Sequence, residues 1–430
     1  MRTFISRGAL ASKEAIPVQS SPKVCMHVRG VARTDGRVMR EATTLEKAGF
    51  AVSIVDIEND ATRPVEEIIS DIHLKHILRP DWLIPTHFKP LKLIKTVKKF
   101  ICTTFCLMQA SVDIYHAHDV NALLPCYVAA QLRHKLLIFD AHEMPLYELE
   151  GTRQRWIRAF KTRLFVKMLQ RCAGVITVSP PIIEEMYNRF HISDVSLIRN
   201  IPLYIVVQKN DRLRQYLGLS SNVRIVLYPG NLQSDRSLDK LVHAAKFLER
   251  NIVIVLMGRN IGSTLVELET LATNEAVTDR LKIIPPVPSE ELIDWTASAD
   301  IGIIVSSPDY SLNVRMFLPN KLFEYIMAGL PVLSSPLTAI TEVIKTYDVG
   351  RVLSSLEPKD IATEINAMLK DYAGLQRMRC SALVAAQNEL CWGKESQQLL
   401  RLYQNIFQKH KENYREQSTL PDYTHSFEGE

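Results

Sequence analysis

The stretch LPNKLFEYIMAGLPVL, Leu318 to Leu333, decides the fold. It reads as a polar loop, a short helix, a glycine cap at Gly329 and a buried strand beginning at Pro331. Lys321 and Glu324 fall three residues apart on the first turns of that helix, so both point toward its N-terminus and the loop before it. A cation and a carboxylate beside a positive helix end suit a ligand carrying both phosphates and a diol. An ordinary surface ion pair would have the same spacing, and the neighbouring chain has to choose.

Upstream, VRIVLYPG (Val223 to Gly230), IVIVLMG, LKIIP and IGIIVS are short β-branched runs separated by helical segments at 237–248, 263–274 and 289–297. That alternation predicts a parallel sheet covered by helices on both faces. The first half repeats the plan with KVCMHVRG, AVSIVDI, DIYHAHD, LLIFDAHE, VITVSP and VSLIRNIP. We therefore expect two doubly wound α/β domains facing each other across a cleft, at 23–200 and 216–390, joined by a linker at 201–215. A disordered extension at 1–22, a C-terminal helix at 391–409 and a disordered tail at 410–430 complete the expected layout.

Composition narrows the function classes. No run of the 430 residues reaches the length of about 18 to 20 apolar residues that spans a bilayer, and no apolar signal-peptide core is present. The seven cysteines contain no C-x-x-C pair and read as reduced thiols of a cytoplasmic protein. Residues 1–200 hold 28 Lys and Arg against 20 Asp and Glu, whereas the remainder holds 24 against 27. The basic surplus concentrates in two amphipathic segments, 88–109 with five lysines and 153–171 with seven cations and no acid. Both could lie on anionic lipid at the inner face of a membrane, or bury their apolar faces on the sheet with the cations merely solvated. Nucleic acid is the rival anionic partner, but no zinc finger, helix-turn-helix or RNP-like motif occurs, so none is expected.

Two strand ends carry ionisable clusters, His116, His118 and Asp119 in one case and Asp140, His142 and Glu143 in the other. Adjacent parallel strands would deliver both to one sheet edge, where ligands bind. Structural histidines or a catalytic cluster are favoured over metal, because neither H-E-x-x-H nor Asp-x-Asp occurs. The loop RGVARTDGR sits beyond the first strand with Gly30 and Gly36, but no G-x-G-x-x-G supports a dinucleotide site.

In order and spacing, LEKAGF, HAHD, FDAHE, VITVSPPI, IRNIP, YPGNLQSDRSLDKLV and PNKLFEYIMAGLPVL resemble the GT-B fold glycosyltransferases of the family 4, group 1 type, from about Lys23 to Lys409. The resemblance implies two Rossmann-like domains, the N-terminal one for the acceptor and the C-terminal one for a nucleoside diphosphate-sugar, UDP- or GDP-linked, with no other cofactor and no metal. Carried over by position, Glu324 would take the ribose hydroxyls, Gly230 would open the diphosphate loop, and Gly30 and Gly36 would form the facing loop. His118 would stand beside the donor sugar and Glu143 near the entering acceptor hydroxyl. Two positions depart from the pattern: Met316 replaces a glutamate, and Asn231 replaces the arginine of the diphosphate clamp. Arg236 then supplies one cation and Lys321 is expected to supply the other. The implied activity is retaining transfer of a sugar to a glycan or lipid-linked acceptor in polysaccharide or glycolipid biosynthesis. An inactive sugar-nucleotide-binding subunit and a nucleotide-sugar 2-epimerase are the alternatives.

Overall fold

The computed structural model describes residues 21–60, 62–78, 89–146 and 155–418. Two sheets organise them. The first contains β1 (Lys23–Val28), β2 (Ala51–Glu58), β3 (Glu66–Ile69), β4 (Ile72–Leu78), β5 (Ile114–His118), β6 (Leu136–Ala141), β7 (Gly174–Thr177) and β8 (Ser196–Leu197). Its order is β3-β4-β2-β1-β5-β6-β7-β8, parallel throughout except for the β3–β4 pair. The second contains β9 (Arg224–Pro229), β10 (Ile252–Met257), β11 (Leu281–Ile284), β12 (Ile301–Ile304), β13 (Val332–Ser334) and β14 (Gly350–Val352), in the order β11-β10-β9-β12-β13-β14 and wholly parallel. The change of direction in strand order leaves a crevice at the carboxyl ends of the central strands of each sheet.

The strands form where β-branched runs are buried on both faces: all six residues of β10, IVIVLM, lie in the core. The β3–β4 hairpin was not expected because IHLKHIL, one strand in from the sheet edge, alternates apolar with polar residues, and a half-exposed strand carries a weaker signal than a buried run. The opening stretch folds as read. Its helix, Asn320–Met327, ends in a Schellman cap in which Leu330 N–H donates to Tyr325 O (2.8 Å) and Gly329 N–H to Ile326 O (3.1 Å). Gly329 adopts a φ of 61°, which favours glycine. The Tyr325 hydroxyl reaches the carbonyls of Leu227 and Ile303, both at 3.0 Å, and pins this helix to β9 and β12.

The last helix, Trp392–Ser418, runs beyond the boundary expected at 409, so the first part of the expected tail is helical. Its Trp392, Leu399, Tyr403 and Ile406 pack with β1 and β2 residues, so the chain ends by crossing back onto the N-terminal domain. Trp392 fastens the crossing through N–H to Pro202 O and Nε1 to Thr44 Oγ1, both 2.9 Å. Residues 1–20 of the extension expected at 1–22, and the residues after 418, lie outside the described residues.

The basic segments form helices Lys89–Gln109 and Arg155–Leu169. Leu107 and Thr103 of the first face the core, whereas Ile94, Val97, Ile101 and Phe105 are exposed and form an outward apolar stripe. No helix among the described residues is long and apolar enough to cross a membrane.

Candidate functional site

The two domains enclose a cleft pocket of about 450 Å³. Its C-terminal wall begins where β9 ends. Gly230 holds a φ of 126°, and a Cβ there would stand 3.2 Å from the Lys321 ammonium, so glycine meets both a backbone and a space requirement. Lys321 lays its Nζ on the Tyr228 ring, 3.4 Å from the centroid, in place of the ion pair with Glu324 that a surface helix would form. Arg236, on a 3₁₀ turn at Ser234–Arg236, lies over Phe317 with Cζ 6.0 Å from the centroid and Nε 3.5 Å from Asp235. Burial, aided by the Arg236 charge, pushes the Lys321 ammonium well below its usual range, and burial raises Glu324 to about 7. This wall thus holds two cations and a carboxylate whose charged forms lack strong protein partners.

The N-terminal wall contributes Arg37, His142, Glu143 and Asn200. Asp140, at the end of β6, grips Arg37 with two bonds, Nε to Oδ2 at 2.8 Å and Nη2 to Oδ1 at 2.7 Å, while Nη1 donates to Ile198 O at 2.9 Å. Burial opposes charge on Asp140, but Arg37 and His142 overcome it and hold the carboxyl well below its usual range. His142 Nε2 lies 3.0 Å from Asp140 Oδ2 and Nδ1 lies 3.4 Å from Asp119 Oδ2. Burial disfavours the imidazolium, yet Asp140 raises it to about 9, so His142 is a cation at neutral pH.

His118 is placed differently from expectation. It is fully buried behind the wall and absent from the pocket lining; its Nδ1 lies 3.1 Å from Asp140 Oδ2 and its ring stacks 4.4 Å from His116. The imidazole on the cleft is His142, at the next strand end. Because β5 and β6 pair in register, His118 opposite Asp140, the residue two beyond Asp140 and just past the strand reaches beyond the sheet edge while His118 stays within it. Gly30 and Gly36 do not line the pocket either; their loop reaches it through Arg37, on the first turn of helix Gly36–Lys47. Glu143, Arg236, Lys321, Gly230 and Glu324 all line it.

Of the lining residues, Arg37, Tyr228 and Asn313 had no role in the sequence analysis, and His142 entered it only as a member of the strand-end cluster. A faint signal existed for Arg37, an arginine on the apolar side of an amphipathic helix with Val38, Ala42 and Leu45. Asn313 carried none, because its role depends on the other domain. Its Nδ2 donates to Glu143 Oε2 at 2.7 Å, and its Oδ1 accepts from Met144 N–H at 3.0 Å, bridging the cleft. Met316, the position departing from the family glutamate, leaves the pocket altogether and packs in the N-terminal core beside Ala141, Met144 and Val178.

Glu41, His116, His118 and Asp140 bring ligand-type atoms within 4.8 Å of one another. Arg37 Nε already stands 3.1 Å from Glu41 Oε1 and 2.8 Å from Asp140 Oδ2, so a guanidinium balances the charge a metal ion would meet.

Comparison with known proteins agrees with this geometry. The family model described as Glycosyl transferases group 1 matches residues 209–383, and that described as Glycosyltransferase Family 4 matches residues 36–201. The chain belongs to this glycosyltransferase family. Within it, the D-inositol 3-phosphate glycosyltransferase of Xylanimonas cellulosilytica is 27% identical over 193 residues, an alignment that spans 44% of each chain. Among solved structures, sucrose-phosphate synthase from Thermosynechococcus elongatus superposes with a TM-score of 0.73 at 18% identity, covering 90% of this chain and 100% of that one. Anabaena HepE in complex with UDP-glucose superposes at 0.67 with 15% identity, covering 89% and 99%. These likenesses establish the fold of this family member as GT-B, two Rossmann-like domains across a cleft.

Proposed function

We propose that the protein transfers a sugar from a nucleoside diphosphate-sugar, UDP- or GDP-linked, to a glycan or lipid-linked acceptor. One observation carries the reading: Arg236, Lys321 and Glu324 meet on one wall of a single cleft whose other wall presents Arg37, His142 and Glu143. Glu324 accepts from the ribose diol, and Arg236 with Lys321 holds the diphosphate. As the glycosidic bond to the donor breaks, these two cations offset the charge that builds on the leaving phosphate. His142 supplies a fixed positive charge across the cleft from them, and Glu143 orients the acceptor hydroxyl. A nucleotide-sugar complex of a structural relative, HepE with UDP-glucose, supports the donor class.

Thermal unfolding in the presence of UDP, GDP, ADP and their sugars tests this, because a ligand bound only to the folded state raises the midpoint. A rise with one nucleoside diphosphate, followed by donor consumption only when acceptor is added, is the expected result. No rise at millimolar concentration with any of them rejects the donor site. The departure of Met316 from the cleft favours a second reading, a nucleotide-binding subunit without turnover; binding with no donor consumption selects it. Release of an epimerised nucleotide sugar without acceptor selects the 2-epimerase.

The outward stripe Ile94, Val97, Ile101 and Phe105, with Lys95 and Lys98 on the same helix, supports contact with an anionic membrane surface on the cytoplasmic side. Ile101→Asp with Phe105→Asp should then abolish cosedimentation with phosphatidylglycerol vesicles, and unchanged cosedimentation rejects the contact.

A further inference from the structure

The loop that carries Glu143 has a second side. Glu143 faces the interdomain cleft, while Pro145 and Leu146, only two and three residues further, line another cavity of about 930 Å³. Its far wall is the helix Arg155–Leu169, which contributes Arg155, Trp156, Arg158, Thr162 and Arg163; Arg189 completes it from the neighbouring helix Pro180–Phe190.

The charges here are one-sided. Arg189 pairs with Glu185, but Arg155, Arg158 and Arg163 have no carboxylate partner among the described residues. Three like charges within nine residues of one helix repel each other, and nothing in the fold of the described residues requires them together. Trp156, in the same wall, is 73% exposed, an unusual position for the largest apolar side chain unless something flat covers it. The loop itself is held in an unfavourable shape, since Leu146 adopts a φ of 61°, in the left-handed region.

We propose that this cavity binds the phosphate-bearing end of the acceptor, with Arg158 and Arg163 forking its phosphate oxygens and Trp156 covering the adjoining sugar or alcohol. The assignment rests on the reading of the cleft as the place of glycosyl transfer. Guanidinium groups match phosphate geometry with paired N–H donors, which a solvated basic face does not require. The position fits as well. Glu143 and Pro145 stand two residues apart, at most about 7 Å along the chain, so an acceptor anchored by its phosphate on one side of the loop can present a hydroxyl to Glu143 on the other. A phosphate on a soluble sugar or alcohol and a phosphate on a lipid carrier share this chemistry.

Arginine-selective labelling with phenylglyoxal, resolved by peptide mapping of the full chain, reads each guanidinium separately. The first probe is inorganic diphosphate, compared with chloride at equal ionic strength. At a concentration that fills about four-fifths of the sites, labelling of Arg158 and Arg163 should slow about fivefold, since only the unliganded fraction reacts. Equal rates at both residues with and without diphosphate overturn the proposal, and if Arg236 is protected in that same sample the donor cleft survives. Protection of Arg158 and Arg163 with Arg236 unprotected supports the cavity and counts against the donor cleft. Neutral phosphatidylcholine vesicles carrying a polyprenyl diphosphate give the second arm: protection at lower phosphate concentration than the free ion assigns the phosphate to a lipid, and equal protection assigns it to a soluble acceptor. Phosphatidylglycerol vesicles without any diphosphate should protect far less; if they protect as well, the arginines form a membrane-facing patch and the cavity is not a phosphate site. Arg155 lines the same cavity and should be slowed by diphosphate along with them; Arg158→Glu with Arg163→Glu, both exposed, should leave the melting midpoint unchanged and remove that protection of Arg155. Retained protection of Arg155 in that variant again overturns the proposal.

Discussion

The two walls of the cleft carry the same kinds of charge in opposite states. On the N-terminal wall Arg37 and His142 are locked to Asp140, a carboxylate that is itself fully buried, at 2.7 to 3.0 Å. On the C-terminal wall Lys321 and Arg236 rest on the faces of Tyr228 and Phe317, and the nearest carboxylate to Arg236 is its own neighbour Asp235 at 3.5 Å. The first arrangement is complete without a ligand and holds the wall in shape. The second is electrostatically incomplete, and a dianionic group is what would complete it. The difference separates residues that build the pocket from residues that await its occupant, and mutation should reveal it as a split between stability and binding.

The largest effect is expected on the locked wall. Asp140→Asn keeps the volume but leaves Arg37 buried with Glu41 as its only remaining close carboxylate and removes the charge that keeps His142 protonated. Breaking a buried pair from one side costs about 3–5 kcal/mol, so the melting midpoint should fall by many degrees even with no ligand present. A midpoint within a degree or two of the parent would mean that Asp140 does not hold this wall. Lys321→Met is the counterpart on the other wall. It removes a half-buried cation from an aromatic face, so the empty protein should be as stable as the parent or more so, whereas binding of nucleoside diphosphate should be lost.

Arg236→Ala comes next. A hydrogen bond to a charged group contributes about 1.5–3 kcal/mol, which is roughly a ten- to hundredfold loss of nucleoside diphosphate affinity. Calorimetric titration would measure it, and the unliganded melting midpoint should move little because the half-buried Arg236 has as its nearest carboxylate only its own neighbour Asp235, at 3.5 Å. A fall in stability without a fall in affinity would move Arg236 to the class of Arg37.

How much of this was legible in the sequence differs between the walls in the same way. Lys321, Glu324, Gly230 and Arg236 sit in two short stretches, and their spacing on a helix turn and a strand-end loop is a local property that a sequence exposes. The N-terminal wall is assembled from Arg37, Asp140 and His142, which are about a hundred residues apart in the case of Arg37 and Asp140 and meet only because β1, β5 and β6 are neighbours in the sheet. Choosing His118 over His142 depends on where a strand stops relative to the sheet edge, a matter of one or two residues that periodicity does not resolve. The alternation of strands and helices, by contrast, is written along each half many times over, and the architecture followed from it. The return of the last helix to the N-terminal domain was invisible, because its apolar residues Leu399, Tyr403 and Ile406 define a buried face without saying which domain covers it.

The pH dependence of stability should carry one step for each wall. His142 has an ordinary value of 6.5 and is held at about 9 in the fold. The folded protein therefore keeps a proton that the unfolded chain releases, and this contribution is whole below 6.5 and lost as pH rises through about 9. Glu324, moved by burial from 4.5 to about 7, has the same sign one step lower: its contribution is whole below 4.5 and lost as pH rises through about 7. His142→Gln should flatten the decline between 6.5 and 9, and Glu324→Gln the decline between 4.5 and 7, in melting curves taken across that range. Variants that flatten each other's window would couple the walls directly.

The smallest expected change in stability concerns the bridge between the walls. Asn313 donates to Glu143 and accepts from Met144 N–H, but both bonds lie at the edge of the cleft and water can replace them. Asn313→Ala should cost about 0.5–1.5 kcal/mol at most, the net worth of an ordinary hydrogen bond. Its functional consequence should be larger than its thermal one. Glu143 would lose the hydrogen bond that Asn313 gives its carboxylate across the cleft, so sugar transfer should slow while nucleoside diphosphate affinity, which we assign to the C-terminal wall, stays at the parent value. Equal losses in transfer rate and nucleotide affinity would show instead that Asn313 serves the donor side, and would erase the division of labour between the two walls.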